Sequence, residues 1–285
     1  MKKRVKVAVL QMNSTQNVEA NLAQLEGLCQ EAALDGAKLI VAPEGCAYLG
    51  SDSPKEGDPG KLGVAEPLPE GGTILNRIRS IAQRLGVEMV IGGFWEKSHH
   101  PQKVYNSCIH LDQEGRVRAV YRKMHLFDVD LPDGSTFEES KSVLAGDEVV
   151  TSESVAGVLG LSICYDLRFP ELYRALVDRG ATLIAVPAAF TLMTGKDHWH
   201  VLLRARAIES QCHVVAAAQW GEHGAGRRSY GHALIADPWG TVLAECGDGS
   251  GYASAWIDEE RVLEVRRRIP ALRHRRLGRG LAAGS

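Results

Sequence analysis

The 285-residue chain has no C-x-x-C pair, no apolar run long enough to cross a bilayer and no marked excess of either charge. Each absence removes a class of function. Cys29, Cys46, Cys108, Cys164, Cys212 and Cys246 stand singly, so neither a paired redox motif nor a zinc ribbon is indicated. Without a secretion signal they read as reduced thiols in a cytosol-like compartment. The 33 Lys and Arg balance 35 Asp and Glu, for a formal charge of -2. That excludes the strongly basic balance of a general nucleic-acid binder. A spanning helix needs about 20 apolar residues, so no membrane segment is expected. Residues 1–5 are basic but run into an alternating apolar stretch, which reads as a strand and not a signal peptide. The expected location is cytoplasmic. No linker rich in Pro, Gly or Ser splits the chain. One domain is expected over 1–270, followed by a basic tail over 271–285 that is solvated or pairs with a second subunit.

The remaining sequence alternates short apolar runs with amphipathic stretches. Residues 6–11 alternate as a strand. Residues 17–37 place Leu22, Leu25, Leu28, Cys29 and Ala32 at helical spacing, with Gly36 as a stop. Residues 38–42 form a continuous apolar run, as in a strand buried on both faces. Residues 51–72 read as a long loop. A helix over 74–85 closes at Gly86 and leads to a strand over 87–91. Strands over 104–111 and 116–123 flank an Asp112-Gln-Glu-Gly115 turn, and a polar connection covers 131–146. A strand over 158–163, a helix over 170–179, a strand over 181–187, a helix over 199–211 and a strand over 213–219 follow. A hairpin of 230–236 with 241–246, a strand over 253–257 and a helix over 259–268 complete the pattern. The two halves share an element order without an obvious sequence repeat. Apolar strands mixed with hairpins imply two mixed sheets with helices outside: an α/β chain built as a four-layer αββα sandwich.

Three polar residues stand where strands run out: Glu44 after 39–42, Lys123 after 117–122, and Cys164 after 159–163. Ligands of α/β sheets collect beyond the carboxyl ends of strands. A thiol of ordinary pKa, about 8.5, is mostly protonated at neutrality, and a carboxylate such as Glu44 can take its proton. Negative charge on a tetrahedral adduct can be met by Lys123 and by the backbone N–H of Tyr165, such a donor being worth about 2.7–4 kcal/mol. Taken singly, each residue has a plainer reading: a packed thiol, a solvated turn, a surface lysine.

Together they carry a resemblance. Pro43-Glu44-Gly45, Tyr121-Arg-Lys123-Met-His-Leu-Phe-Asp-Val-Asp130 and Cys164-Tyr-Asp-Leu-Arg-Phe-Pro-Glu171 resemble the three signature motifs of the nitrilase (carbon–nitrogen hydrolase) superfamily, in order and in context. The resemblance covers about residues 6–278. It implies the αββα sandwich, with Glu44 as general base, Lys123 as oxyanion stabiliser and proton donor, and Cys164 as nucleophile. Glu139 matches a second glutamate that positions substrate and lysine. Residues 194–240 are similar to a narrower branch, which implies hydrolysis of the amide of deaminated glutathione to 2-oxoglutarate and cysteinylglycine. The alternative is an ω-amidase acting on 2-oxoglutaramate, or another small-amide hydrolase or carbamoylase. The resemblance also implies a homodimer and no cofactor.

An anionic amide substrate needs cationic or N–H partners; Arg168, Arg227, Arg228 and Tyr230 are the candidates. His200 departs from the family, which commonly has Glu there. His198-Trp-His200 is not read as a metal site, because i,i+2 spacing does not put two histidines on one helix face and no third ligand is evident. Gly92-Gly93 and 221–226 read as loops without the setting of a phosphate cradle.

Overall fold

The computed structural model describes residues 4–131, 134, 136–224 and 227–276. Residues 277–285 of the expected tail and Ala225-Gly226 of the glycine-rich loop lie outside them. In chain order the strands are β1 (Arg4–Met12), β2 (Leu39–Ala42), β3 (Glu88–Lys97), β4 (Val104–Leu111), β5 (Val117–Arg122), β6 (Asp128–Asp130), β7 (Thr136–Glu138), β8 (Val143–Leu144) and β9 (Thr151–Ser154). There follow β10 (Gly157–Leu161), β11 (Leu183–Ala185), β12 (His213–Ala216), β13 (Ala218–Glu222), β14 (Arg228–Tyr230), β15 (Leu234–Ala236), β16 (Val242–Glu245) and β17 (Gly251–Asp258). The helices are α1 (Val18–Leu34), α2 (Gly60–Val64), α3 (Thr73–Leu85), α4 (Pro170–Asp178), α5 (Leu192–Ser210), α6 (Glu259–Arg268) and, at the start of the tail, α7 (Ala271–His274).

The strands form a nine-stranded sheet, a six-stranded sheet and the small β6–β7 pair. Alternation along each strand decides what lies on either side. Val7, Val9, Leu39 and Val41 face the second sheet, in one core with Leu159, Leu161, Leu183 and Val215. Ala8, Leu10, Ile40 and Ala42 face outward, against Leu22, Leu25 and Cys29 of α1 and Ile74, Ile78 and Ala82 of α3. α4 and α5 cover the second sheet through Leu172, Leu176, Leu203 and Ala207. The layers are therefore α-β-β-α. Burial of each large aliphatic side chain contributes about 1.5–3 kcal/mol, so both faces of both sheets stabilise the stack.

The two sheets are built alike. In the first, β1, β2 and β3 are parallel, β4 and β5 follow antiparallel, and β17 flanks β1 antiparallel. In the second, β10, β11 and β12 are parallel, β15 and β16 follow antiparallel, and β9 flanks β10 antiparallel. A sequence repeat accompanies this, contrary to the reading by element order alone. Gly36-Ala-Lys-Leu-Ile-Val-Ala-Pro43 and Gly180-Ala-Thr-Leu-Ile-Ala-Val-Pro187 agree at Gly, Ala, Leu, Ile and Pro. Both glycines have left-handed backbones, φ 94° and 92°, where the chain leaves a helix for a strand.

Four further expectations change. The apolar run 213–219 is two strands, with β12 in the second sheet and β13 in the first. The helix expected over 199–211 begins at Leu192, and the 51–72 loop contains α2. Gly92 and Gly93 lie within β3, at a register shift between Ile91 and Phe94. A Cβ on Gly92 would come within 2.1 Å of Pro187 Cβ, and one on Gly93 within 2.1 Å of Gly45 N. The bulge thus lets the Pro43 and Pro187 turns close over one strand.

Candidate active site

The turn after β10 is a short 3-10 helix, and its first residue, Cys164, has φ 46°. A non-glycine residue in the left-handed region carries steric strain, so this turn needs fasteners. The Cys164 N–H donates to Pro187 O at 2.9 Å. Asp166 is fully buried. Its carboxylate accepts from Ile163 N at 2.8 Å, Tyr121 Oη at 2.7 Å, His125 N at 3.2 Å and His125 Nδ1 at 2.7 Å. The His125 ring stacks on Phe169, 3.7 Å between centroids. Asp166 therefore binds the turn after β10 to the turn after β5, fixing Cys164 relative to Lys123.

Lys123, Glu44, Glu139 and Cys164 meet at the floor of a cavity of about 570 Å³. Lys123 Nζ lies 3.0 Å from Glu44 Oε1 and 2.9 Å from Glu139 Oε2. Asn106 Nδ2 donates to Glu44 Oε1 at 2.9 Å and to Glu139 Oε1 at 3.0 Å, so it bridges the two carboxylates. Ala189 N donates to Glu44 Oε2 at 3.0 Å, and Phe127 N to Glu139 Oε2 at 2.7 Å. The Glu44 carboxylate acts on the Cys164 thiol across this floor. Behind it, Gln219 Nε2 donates to Glu44 O at 3.1 Å.

The charges follow from this packing. Burial alone would push the Lys123 ammonium toward neutrality; the Glu139 and then Glu44 carboxylates reverse that and raise its pKa well above the usual value. Burial would raise Glu139, but Lys123, with a smaller contribution from Lys61, holds it below the usual carboxylate range. Burial raises the Cys164 thiol well above an ordinary cysteine, Glu44 adds to this and Lys123 offsets part. The thiol is thus protonated at neutral pH, with a carboxylate placed to receive its proton. Moving that proton to Glu44 leaves the net charge of the floor unchanged.

Tyr165 lines the cavity, its ring edge-on to Phe127 and Phe169 at 5.0 and 5.2 Å. Arg168, Arg227 and Arg228 also line it; Tyr230 does not. Arg168 Nη1 donates to His198 Nδ1 at 3.2 Å and its guanidinium lies over the Phe190 ring at 5.1 Å. Arg227 Nη1 donates to Gly50 O at 3.2 Å. Arg228 faces Glu222 at 3.5 Å, both largely exposed. Tyr230 instead closes on α5: a Cβ on Gly195 would come within 2.3 Å of Tyr230 Cβ.

Asn106, Asp166 and Lys61 were not singled out from the sequence. Asn106 leaves a signal, an amide inside the apolar strand 104–111, and buried amides need partners. Lys61 lines the cavity from α2 and pairs with Asp52 at 2.6 Å. His200 contacts Glu245 and not His198.

The carbon-nitrogen hydrolase family matches residues 6–267. Over 272 residues the chain is 44% identical to the deaminated glutathione amidase of Synechocystis sp., covering 94% of this chain and 97% of that protein. It is 43% identical over 274 residues to the deaminated glutathione amidase of Homo sapiens, covering 95% and 82% respectively. The solved structure of the C. elegans NitFhit protein superposes with a TM-score of 0.88 at 37% identity, over 96% of this chain and 66% of that one.

Proposed function

The chain belongs to the carbon–nitrogen hydrolase family, and from that premise we propose that it hydrolyses the amide of deaminated glutathione, releasing 2-oxoglutarate and cysteinylglycine. The observation that carries the chemistry is the Lys123 ammonium held between Glu44 and Glu139 beside a protonated, buried thiol. The observation that carries the substrate is identity of 44% and 43% to two proteins of that name over nearly the whole chain.

In this reading Glu44 takes the Cys164 proton as sulfur attacks the amide carbonyl carbon. Charge on the carbonyl oxygen is met by Lys123 Nζ and the Tyr165 N–H. Glu44 then gives its proton to the departing nitrogen, the C–N bond breaks, and cysteinylglycine leaves a thioester on Cys164. Water, deprotonated by Glu44, attacks the thioester. The C–S bond breaks and the proton returns to sulfur. Glu139 keeps Lys123 charged throughout, and Asn106 holds the two carboxylates at fixed separation. Each step uses only groups of this chain and water. Both product halves of the substrate carry a carboxylate, for which Arg168, Arg227 and Arg228 offer partners around the cavity. Tyr230 has no such role in this reading, since it packs on α5.

A cytoplasmic homodimer completes the proposal. Val201, Ile208, Trp239 and Leu243 expose apolar surface on α5 and the β15–β16 hairpin, which a second subunit would cover. No helix among the described residues is long and apolar enough to cross a membrane.

The deciding experiment compares turnover of deaminated glutathione with that of 2-oxoglutaramate, with Cys164→Ala as control. We expect faster release of cysteinylglycine than of ammonia, none in the variant, and an acyl adduct on Cys164 by mass spectrometry. Preferential ammonia release would assign an ω-amidase. Full activity in Cys164→Ala would remove the thiol mechanism altogether.

A further inference from the structure

Away from the cavity floor, three potential ligands converge on one point. His200 Nε2, from the middle of α5, lies 2.8 Å from Glu245 Oε1 on β16. His232 Nδ1, from the turn between β14 and β15, lies 2.9 Å from the same oxygen. The three ligating atoms lie within 4.8 Å of one another. In the single chain their side chains are 32%, 24% and 32% exposed. We propose that His200, His232 and Glu245 form a binding site for a first-row divalent metal ion of the zinc class.

The donor set suits that class. Two imidazole nitrogens and one carboxylate oxygen give three protein ligands, leaving a fourth position of a tetrahedron for water. Legs of about 2.0–2.1 Å put tetrahedral ligands about 3.3 Å apart, so each nitrogen moves back about half an ångström from the shared oxygen, and the two nitrogens, within 4.8 Å of each other, take up the same spacing. Zinc replaces the hydrogen-bonding protons between the rings and the carboxylate. Both rings must be neutral, with the lone pair on His200 Nε2 and on His232 Nδ1, so protons compete and binding weakens at acid pH.

The framework holds the donors ready. Trp199, fully buried, donates from Nε1 to the His232 carbonyl at 2.8 Å, tying the residue beside His200 to the second ligand. His232 has φ 58°, after Gly231 at φ 81°. This left-handed pair turns the chain between β14 and β15. The Tyr230 ring packs 4.5 Å from that of His232 and 6.0 Å from that of His200. The sequence concealed the site because its donors come from three separate elements, and the pair spaced i,i+2 on α5 is not the pair that meets.

The test titrates the purified full chain with Zn2+ by calorimetry and with Co2+ by visible absorption, beside His200→Gln, His232→Asn and Glu245→Gln. Asparagine tolerates the left-handed backbone at 232. We expect one ion per chain and ligand-field bands without a thiolate-to-metal charge-transfer band. Loss of partners outside the ligand shell typically costs 10–100-fold in affinity, so each variant, losing a ligand, should lose at least about tenfold. Zn2+ should raise the unfolding midpoint of the parent and not of the variants. Unchanged metal-free amide hydrolysis in the variants would show that they fold. The site is refuted by no binding at micromolar ion, by equal affinity in all four proteins, or by a thiolate band placing the ion on a cysteine.

Discussion

The two halves of the molecule share a strand order and the segment Gly-Ala-x-Leu-Ile-x-x-Pro, yet the proposed chemistry rests on their differences. After Pro43 comes Glu44; after Pro187 comes Ala188, fully buried. Val9 pairs with Val41, and Leu161 with Ala185. Counting on from these, Met12 in the first half corresponds to Cys164 in the second. The common framework fixes where strands end and where prolines turn the chain. One half adds a carboxylate there and the other a thiol. The two reach each other because both Pro turns close over the glycine bulge of β3. Even the unreactive counterpart contributes, since Ala189 beside it donates its N–H to Glu44.

The most severe way to break this comparison is to make the halves agree. Glu44→Ala copies the residue after Pro187. Loss of a general base typically costs about 100- to 10,000-fold, and we expect kcat/KM to fall within that range while circular dichroism is unchanged. Turnover within tenfold of the parent would mean that the asymmetry at 44 is not where the base lies.

A second substitution tests the shared framework. Gly92 corresponds to Ala217, counting from the paired residues Val90 and Val215. The methyl is tolerated at 217 but at 92 would meet Pro187 Cβ. Gly92→Ala should cost about 1–3 kcal/mol, as overpacking does, read from urea unfolding. No loss of stability would show that the Pro187 turn yields freely.

The smallest effect separates the buried thiols common to both halves from the proposed nucleophile. Burial pushes Cys46 up to about 12, and Cys212 and Cys246 each up to about 11. A raised folded pKa means that the unfolded chain loses its proton first. This stabilisation is complete below about pH 8.5, the unfolded value, and is lost as pH rises toward 11. Above pH 8.5 each thiol contributes a slope of about 1.4 kcal/mol per pH unit. Cys246→Ala should flatten the fall in unfolding free energy between pH 8.5 and 10 by about that slope, leaving hydrolysis at neutral pH unchanged. An unaltered slope would mean that Cys246 titrates alike in both states.

How much could be read from the sequence follows from where each signal resides. Glu44, Lys123 and Cys164 are polar residues closing apolar runs, and strand ends are marked by composition. The layer order followed from alternation and helical spacing. The switch between sheets at Ala217 was hidden, because a strand that passes from one core to another stays apolar throughout. The first turns of α5 were hidden because Leu192-Met-Thr-Gly-Lys-Asp-His198 has no apolar stripe and includes Gly195, a poor helix former required by the Tyr230 side chain. Asp166 and Asn106 act through partners distant in the chain: the pairing of Asp166 exists only once the turns after β5 and β10 are together, and that of Asn106 only once β4 lies beside Glu44 and Glu139. The arginines around the cavity lie on loops and at strand edges, where local pattern does not determine direction.

The left-handed backbone of Cys164 has a consequence for descent. Such a conformation costs an L-residue about 1–2 kcal/mol, a penalty from which glycine is exempt. A single-base change converts a cysteine codon to a glycine codon. A lineage no longer selected for hydrolysis would be expected to drift toward glycine at 164, losing the proposed nucleophile while relieving the turn. Glycine at this position in a descendant would therefore record relaxed selection, written by the same strain that presents the thiol in the working enzyme.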